Sequence, residues 1–125
     1  MLLTSDQLVE SAKTHIKEIS SGTLLKLLND VVVIDVREKE ECKSGLIPNA
    51  YNIPRGVLEM NVQQYLHQKM GKEDIIHTAV VLYCHSGARS ALATQSLQAM
   101  GFTHVQSLEG GMAGWIKANY PLDGE

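Results

Sequence analysis

Two runs of consecutive apolar residues stand out in the hydropathy pattern of the chain, one at 31–34 and one at 79–83. Neither run alternates with polar residues, which is typical of a parallel strand that helices cover on both faces. Shorter stretches at 15–19, 50–53 and 105–108 predict three further strands. The pattern therefore predicts five strands, two of which are buried on both faces.

Apolar residues at helical spacing occupy most of the remaining chain. Ser5 precedes one such segment and is a suitable cap, which predicts a short N-terminal helix. The spacing predicts further helices over 21–28, 39–44, 57–70, 90–100 and 110–119. Strands that alternate with helices predict an α/β fold with a parallel five-stranded sheet, helices on both faces and right-handed crossovers.

Length and composition narrow the class of protein. The chain has 125 residues, 44% of them hydrophobic and 20% charged, which is typical of one globular domain and excludes a disordered chain. The net charge is −3, from 11 basic and 14 acidic side chains. A nucleic-acid-binding domain usually carries a basic excess, so we expect no nucleic-acid partner.

The sequence shows neither a membrane-spanning or signal segment nor a C-x-x-C pair. No apolar run approaches the roughly 20 residues that cross a bilayer, and segment 1–10 has acidic residues where a signal peptide is basic. We therefore expect a cytoplasmic protein without membrane association. The cysteines, Cys42 and Cys84, form no C-x-x-C pair, so no metal site is predicted.

The segment 84–90 joins the second buried strand to a strong helix, so Cys84 should lie beneath free backbone N–H groups at the positive end of the helix dipole. Such a setting stabilises a thiolate and lowers the pKa of the thiol. Gly87 permits a positive φ, Arg89 adds a positive charge that can grip an anion, and Ser90 is placed to cap the helix. The alternative is an ordinary turn with an inert, buried cysteine.

These residues resemble the rhodanese-like domain family. Its active-site loop has the pattern C-x-x-G-x-R-(S/T), which Cys84, Gly87, Arg89 and Ser90 match. A second family motif, D-x-R-x-x-x-E-(F/Y)-x-x-G-H-I-P-G-A-x-N, is matched by Asp35, Arg37, Glu41, Gly45, Ile47, Pro48, Ala50 and Asn52. A third, G-G-x-x-x-W, is matched by Gly110, Gly111 and Trp115. The resemblance implies a rhodanese-like domain over residues 15–125, with residues 1–14 as an N-terminal helical extension.

The resemblance implies sulfur transfer through a persulfide on Cys84, in two steps with ping-pong kinetics and without a cofactor or metal. The donor would be a small molecule such as thiosulfate and the acceptor cyanide or a thiol, and a protein donor or acceptor is also open. The implied substrate-binding residues form the rest of the loop: His85, Ser86, Gly87, Ala88 and Arg89.

Asp35 and Arg37 follow the first buried strand, and with Ser90 they are the predicted supporting residues of the loop. Asp35 is expected to orient the loop or its Arg89, and a simple strand-end cap is the alternative. Cys42 stands where the family usually has an aromatic residue, which favours packing over a role as a resolving thiol.

Two other functions remain open. Phosphatases and arsenate reductases of related fold have one more residue between Cys and Arg than the four that separate Cys84 from Arg89. A non-catalytic sulfur-sensing or partner-binding module is the second alternative. His85 and Ser86 stand where members that favour thiosulfate often have basic residues, so thiosulfate would be a surrogate donor.

Overall fold

The computed structural model describes residues 1–124 as an α/β domain. The α-helices are α1 Ser5–Lys13, α2 Ser21–Leu27, α3 Leu58–Gln64, α4 Ala88–Met100 and α5 Gly111–Lys117. The strands are β1 Lys17–Ile19, β2 Val32–Asp35, β3 Tyr51–Asn52, β4 Val80–Tyr83 and β5 Val105–Leu108. Two 3₁₀ helices, Lys39–Ser44 and Arg55–Val57, and a π-helical turn, Tyr65–Lys69, complete the elements.

The strands form one sheet in the order β1-β5-β4-β2-β3, and every adjacent pair is parallel. The two long apolar runs of the sequence are the neighbouring strands β2 and β4, with Ile34 opposite Leu82. Asp35 lies opposite Tyr83, so the segments that follow both strands leave the sheet at the same edge. The predicted parallel five-stranded α/β fold is therefore confirmed.

Apolar side chains form a core on each face of the sheet. On one face, residues of α3 and α4, such as Leu58 and Leu97, pack against Ile34 and Leu82. On the other face, α2 and α5 pack their apolar residues, including Trp115, against β4 and its neighbours. The alternation of side chains along each strand supplies both cores, which explains why β2 and β4 have no polar alternation.

Helix α1 packs against α4 and buries Ala12. The cap of this helix is Thr4 and not Ser5, which is the first helical residue. Gln7 N–H donates to the Thr4 hydroxyl, and the Gln7 side chain accepts from Thr4 N–H, which completes a capping box. Within residues 1–124, no helix is both long and apolar enough to span a bilayer. Glu125, the last residue of the predicted domain 15–125, lies outside the described residues.

The predicted helix 57–70 differs in detail from the observed one. Residues 55–57 form a 3₁₀ helix, and α3 continues into the π-helical turn Tyr65–Lys69. The wider turn accompanies the burial of two consecutive side chains, Tyr65 and Leu66. Tyr65 stacks on Tyr51 of the edge strand β3, with ring centroids 4.2 Å apart.

Two substitutions in α3, one at a buried and one at an exposed position, test the core on this face of the sheet. Leu58 is fully buried, so Leu58→Ala should lower the free energy of unfolding by about 2–5 kcal/mol. Met60 is 82% exposed, and Met60→Ala should change it by less than about 0.5 kcal/mol. Urea denaturation of both variants checks this packing, and equal losses would contradict it.

Candidate active site

The candidate active site is the loop between β4 and α4, at the carboxyl edge of the sheet where α/β proteins commonly bind ligands. Cys84 directly follows β4 and is buried, whereas His85 and Ser86 are exposed at the tip of the loop. Gly87 has φ 101° and precedes α4, which begins at Ala88. The positive φ expected at Gly87 from the sequence is thus present.

Two N–H donors and a hydroxyl from the loop and the first turn of α4 surround the sulfur of Cys84. The N–H of Gly87 lies 3.2 Å from Sγ, and the N–H of Ser90 lies 3.4 Å from it. The Ser90 hydroxyl oxygen lies 3.5 Å from Sγ. The N–H groups of a first helical turn have no partner within their own helix, so they are free to bond the sulfur.

These contacts determine the ionisation of the thiol. Burial by itself disfavours the thiolate, but the bonds from the Ser90 hydroxyl and from the N–H groups of Ser90, Gly87 and Ser86 outweigh it and lower the pKa of Cys84. The thiolate therefore stabilises the folded state above the ordinary thiol pKa, and this contribution is lost as pH falls through the lowered value. Cys84 has the electrostatic setting of a nucleophile.

The start of α5 holds the backbone of the loop from the other side. The N–H of Met112 donates to the carbonyl of Cys84 at 2.8 Å, and the N–H of Ala113 donates to the carbonyl of His85 at 2.9 Å. Gly111 has φ 54°, and a Cβ there would lie 2.5 Å from the Cys84 carbonyl oxygen. This close approach explains why glycine occupies the second position of the G-G-x-x-x-W motif.

Arg89 forms a bidentate ion pair with Glu41, whose position in the sequence is 48 residues away. Nη1 donates to Oε1 at 2.7 Å, and Nη2 donates to Oε2 at 3.0 Å. The Arg89 bonds outweigh the effect of burial and lower the pKa of Glu41 to about 2. Both side chains are a little over one-third exposed, so the pair lies at the rim of the site.

Asp35 and Arg37 form a second, fully buried ion pair beneath the rim. Arg37 donates through Nη2 at 2.7 Å and through Nε at 3.0 Å to Asp35 Oδ2, and its backbone N–H donates to Oδ1 at 2.9 Å. The guanidinium also lies over the ring of Tyr83, 5.7 Å from its centroid. Because a buried charge is costly unless it is paired, neither residue is easily replaced alone.

Arg37 connects this buried pair to the 3₁₀ helix Lys39–Ser44. Its Nη1 donates to the carbonyl of Glu41 at 3.1 Å, and its Nη2 donates to the carbonyl of Gly45 at 3.0 Å. The two ion pairs are therefore linked through the backbone of Glu41. Asp35 orients Arg37, Arg37 holds the segment that carries Glu41, and Glu41 holds Arg89 at the start of α4.

The structure corrects the expectation for Ser90 and specifies the contacts of Asp35. Ser90 does not cap α4, because Gly87 occupies the cap position and Ser90 lies in the first turn, where its hydroxyl reaches the sulfur. The Asp35 carboxylate bonds Arg37, so any orientation of Arg89 by Asp35 passes through Arg37 and Glu41. Each side chain still lies close to the loop, but its contacts differ from those that its sequence position suggested.

Cys42 lies outside the sulfur cradle. Its Sγ is half-buried and lies 3.6 Å from Asp35 Oδ2. Burial and the nearby Asp35 charge raise the pKa of Cys42 to about 11. Among residues 1–124, no three His, Cys, Asp or Glu side chains are grouped to hold a metal ion.

Several residues near the site were not singled out from the sequence. Glu41 and Asn52 belong to the second motif, but motif membership does not reveal their contacts. Asn52 Nδ2 donates to the carbonyls of Asp35 and Arg37 at 2.9 and 2.8 Å and thereby fixes the chain after β2. The charge of Glu41, opposite to that of Arg89, was the available signal for their pairing.

Comparison with known proteins agrees with this geometry. The rhodanese-like domain family matches the chain over residues 20–118. The chain belongs to this family. A sulfurtransferase of Allochromatium vinosum is 30% identical over 110 residues, which cover 86% of this chain and 94% of that protein. The human thiosulfate:glutathione sulfurtransferase is 32% identical over 93 residues, which cover 68% of this chain and 78% of that protein.

A solved structure from Rhodopseudomonas palustris, of unknown function and described as a possible tyrosine phosphatase, matches with a TM-score of 0.84 and 29% identity. The match covers 98% of this chain and 96% of that one. The predicted rhodanese-like fold is thus confirmed. The two relatives named as sulfurtransferases support sulfurtransferase activity in general for the rhodanese-like domain described here.

The opposite pKa directions of the two cysteines can be measured from thiolate ultraviolet absorbance in single-cysteine variants. In Cys42→Ala, the remaining Cys84 should titrate below the ordinary thiol value of about 8.5. In Cys84→Ser, the remaining Cys42 should show no thiolate until the pH at which tyrosines ionise. A Cys84 midpoint at or above the ordinary value would contradict the geometry of the cradle.

The buried ion pair Asp35–Arg37 should contribute to stability only while both partners are present. Arg37→Ala leaves the fully buried Asp35 carboxylate without its partner and should lower the free energy of unfolding by about 3–5 kcal/mol. The double variant Asp35→Ala/Arg37→Ala removes the unpaired charge and should be more stable than Arg37→Ala. Urea denaturation of the wild type and of both variants measures their free energies of unfolding. A double variant that is less stable than Arg37→Ala would show that charge pairing is not the dominant interaction.

Proposed function

We propose that this rhodanese-like domain is a sulfurtransferase that carries a sulfane sulfur as a persulfide on Cys84. In the first step, the Cys84 thiolate attacks the outer sulfur of a donor such as thiosulfate. The donor's sulfur–sulfur bond breaks, and sulfite leaves with the electron pair. In the second step, cyanide or a thiolate attacks the outer sulfur of the persulfide and releases the Cys84 thiolate, so no external oxidant or reductant is needed.

The convergence of hydrogen-bond donors on one buried sulfur is the observation that carries this proposal. Two backbone N–H groups and a hydroxyl lie within 3.5 Å of Cys84 Sγ. The same first turn of α4 can stabilise the negative charge on the outer sulfur of a persulfide, as an oxyanion hole stabilises an oxygen. Such a cradle suits a site that holds an anionic sulfur in both halves of the reaction, first the thiolate and then the outer sulfur of the persulfide.

We assign substrate contact to the loop residues His85, Ser86, Gly87, Ala88 and Arg89. The exposed tip, His85 and Ser86, is where a donor or acceptor first meets the protein. The charge of Arg89 interacts favourably with the Cys84 thiolate, although Glu41 holds the guanidinium. Arg89 therefore favours an anion in the loop through its field and through its hold on the first turn of α4.

Small sulfur compounds are the partners that this site can serve. Thiosulfate or another sulfane donor, and cyanide or a thiol as acceptor, fit a mechanism without a cofactor. The name of the human relative couples thiosulfate to glutathione, which supports a thiol acceptor for this chain. We also propose a cytoplasmic location and keep a protein donor or acceptor as an alternative partner.

The phosphatase alternative has one observation in its favour, the description of the Rhodopseudomonas palustris structure as a possible tyrosine phosphatase. The loop argues against it, because the four residues between Cys84 and Arg89 leave a smaller ring than phosphatases use for a tetrahedral oxyanion. Glu41 argues against it too, since its carboxylate bonds the Nη1–Nη2 edge of the Arg89 guanidinium and neutralises much of its charge.

Sulfur loading measured by intact mass and peptide mapping tests the proposal. After reduction and incubation with thiosulfate, the peptide that contains Cys84 should gain one sulfur atom, and cyanide should remove it as thiocyanate. Cys84→Ser should abolish loading, because an alcohol in place of the thiolate forms no persulfide. The matched control Cys42→Ala should load to the same extent as the wild type.

Two results would overturn this function. If thiosulfate, mercaptopyruvate and a desulfurase-derived persulfide all fail to load Cys84, the domain is a non-catalytic module. If the protein hydrolyses a phosphate ester and loses that activity in Cys84→Ser, while sulfur never loads, the site is a phosphatase.

A further inference from the structure

A second buried hydroxyl lies behind the sulfur cradle, on a strand that the proposed mechanism does not use. Ser107 belongs to β5 and pairs in register with Leu82 of β4, two residues before Cys84. Its side chain is fully buried. Val105, two residues earlier in β5 and therefore on the same face, belongs to the apolar core. A hydroxyl in such surroundings costs free energy unless it is hydrogen-bonded.

The Ser107 hydroxyl bonds the Ser90 hydroxyl, and the two oxygens are 2.8 Å apart. Ser90 Oγ in turn lies 3.5 Å from Cys84 Sγ. Within residues 1–124, the Ser90 hydroxyl is the hydrogen-bond partner of the Ser107 hydroxyl. The three side chains therefore form a buried line that begins on β5, crosses the first turn of α4 and ends at the sulfur.

Each hydroxyl has a single proton, so the Ser90–Ser107 bond has two directions, and each direction matches one state of the sulfur. With a neutral thiol, Cys84 donates to Ser90, and Ser90 donates to Ser107. With an anionic sulfur, Ser107 donates to Ser90, and Ser90 donates to the sulfur. The second arrangement ends on a charge, so its bonds are stronger and reinforce each other.

We propose that Ser107 is a positioning residue of the sulfur-transfer site, which acts through Ser90 by reversing the direction of the hydroxyl pair when the Cys84 sulfur becomes anionic. This inference rests on the proposed function for its catalytic consequence. The contact itself is independent of any substrate. Ser107 bonds Ser90 in both states, as acceptor with the neutral thiol and as donor with the anion, so the Ser90 hydroxyl can turn towards the sulfur without losing Ser107 as a partner.

A neighbouring hydroxyl provides the contrast. Thr94 is also buried on α4 and donates to the backbone carbonyl of Ser90 at 2.8 Å. Its hydroxyl follows the helix backbone and does not bond the Ser90 side chain. Thr94→Val therefore removes a buried hydroxyl at nearly constant volume and leaves the line from Ser107 to Cys84 intact.

Other charged and titratable groups also face Cys84 and must stay constant in the test. Arg89 of α4 faces the sulfur and is paired with Glu41 of the 3₁₀ helix Lys39–Ser44. His85 follows Cys84 in the chain, and its side chain is exposed at the tip of the loop. Ser107 lies on the opposite side, on β5, and bonds none of them. A change in Cys84 titration after substitution of Ser107 is therefore attributable to the hydroxyl pair.

The experiment measures the Cys84 titration midpoint by thiolate absorbance, with Cys42→Ala as the parent protein. Ser107→Ala should raise the midpoint by about one-half to one pH unit, because one hydrogen bond in the anionic line is lost. At a pH below the parent midpoint, sulfur loading from thiosulfate should slow by about 3–10-fold, in proportion to the thiolate lost. Ser107→Thr should restore both, and Thr94→Val should change neither.

A double-mutant cycle separates the two hydroxyls. If Ser107 acts through Ser90, Ser107→Ala shifts the midpoint in the parent but not in a Ser90→Ala background. The double variant leaves neither hydroxyl unpaired, so its stability shows whether a loss in Ser107→Ala comes from the broken hydroxyl pair. Equal shifts in both backgrounds, or lower thermal stability with an unchanged midpoint in Ser107→Ala, would overturn the proposal.

The same data distinguish this proposal from the proposed function. If Ser107→Ala shifts the Cys84 titration midpoint in a protein that never loads sulfur, the role of Ser107 is supported and sulfur transfer is contradicted. Normal loading in Ser107→Ala with an unchanged midpoint supports sulfur transfer and contradicts the hydroxyl pair.

Discussion

A buried sulfur anion is stable only where hydrogen-bond donors converge on it, and this constraint organises the edge of the sheet around Cys84. Burial opposes the thiolate, whereas the N–H groups of Gly87 and Ser90 and the Ser90 hydroxyl favour it. These donors reach the sulfur because α4 starts at Ala88, directly after the positive φ of Gly87. A small change in where the helix begins would move the donors away from Cys84.

The surrounding structure fixes that starting point from three directions. The first turn of α5 bonds the carbonyls of Cys84 and His85, so the loop cannot lift from the sheet. The pair Arg89–Glu41 holds α4 from the rim, and Arg37 holds the segment of Glu41 from below. Because the donors are fixed before any ligand arrives, little reorganisation is needed when negative charge reaches the sulfur.

The sequence predicted the sheet, its parallel strands and the loop, because these depend on local pattern: long apolar runs, helical spacing and a glycine between strand and helix. It did not predict contacts that depend on which side chains meet across the fold. The pairing of Arg89 with Glu41 joins residues 48 positions apart, and Ser90 resembled a cap although Gly87 occupies that position. Ser107 gave no signal, since a serine in a short strand is unremarkable until its neighbour is known.

The ion pair at the rim also bears on which anion the proposed site favours. Because Glu41 neutralises much of the Arg89 charge, the loop stabilises an anion mainly through backbone N–H groups and one hydroxyl. Such dipoles suit a monoanionic, polarisable sulfur, whereas a phosphate dianion gains more from an uncompensated guanidinium. The short loop and the occupied arginine thus favour the same chemistry for separate physical reasons, one of size and one of charge.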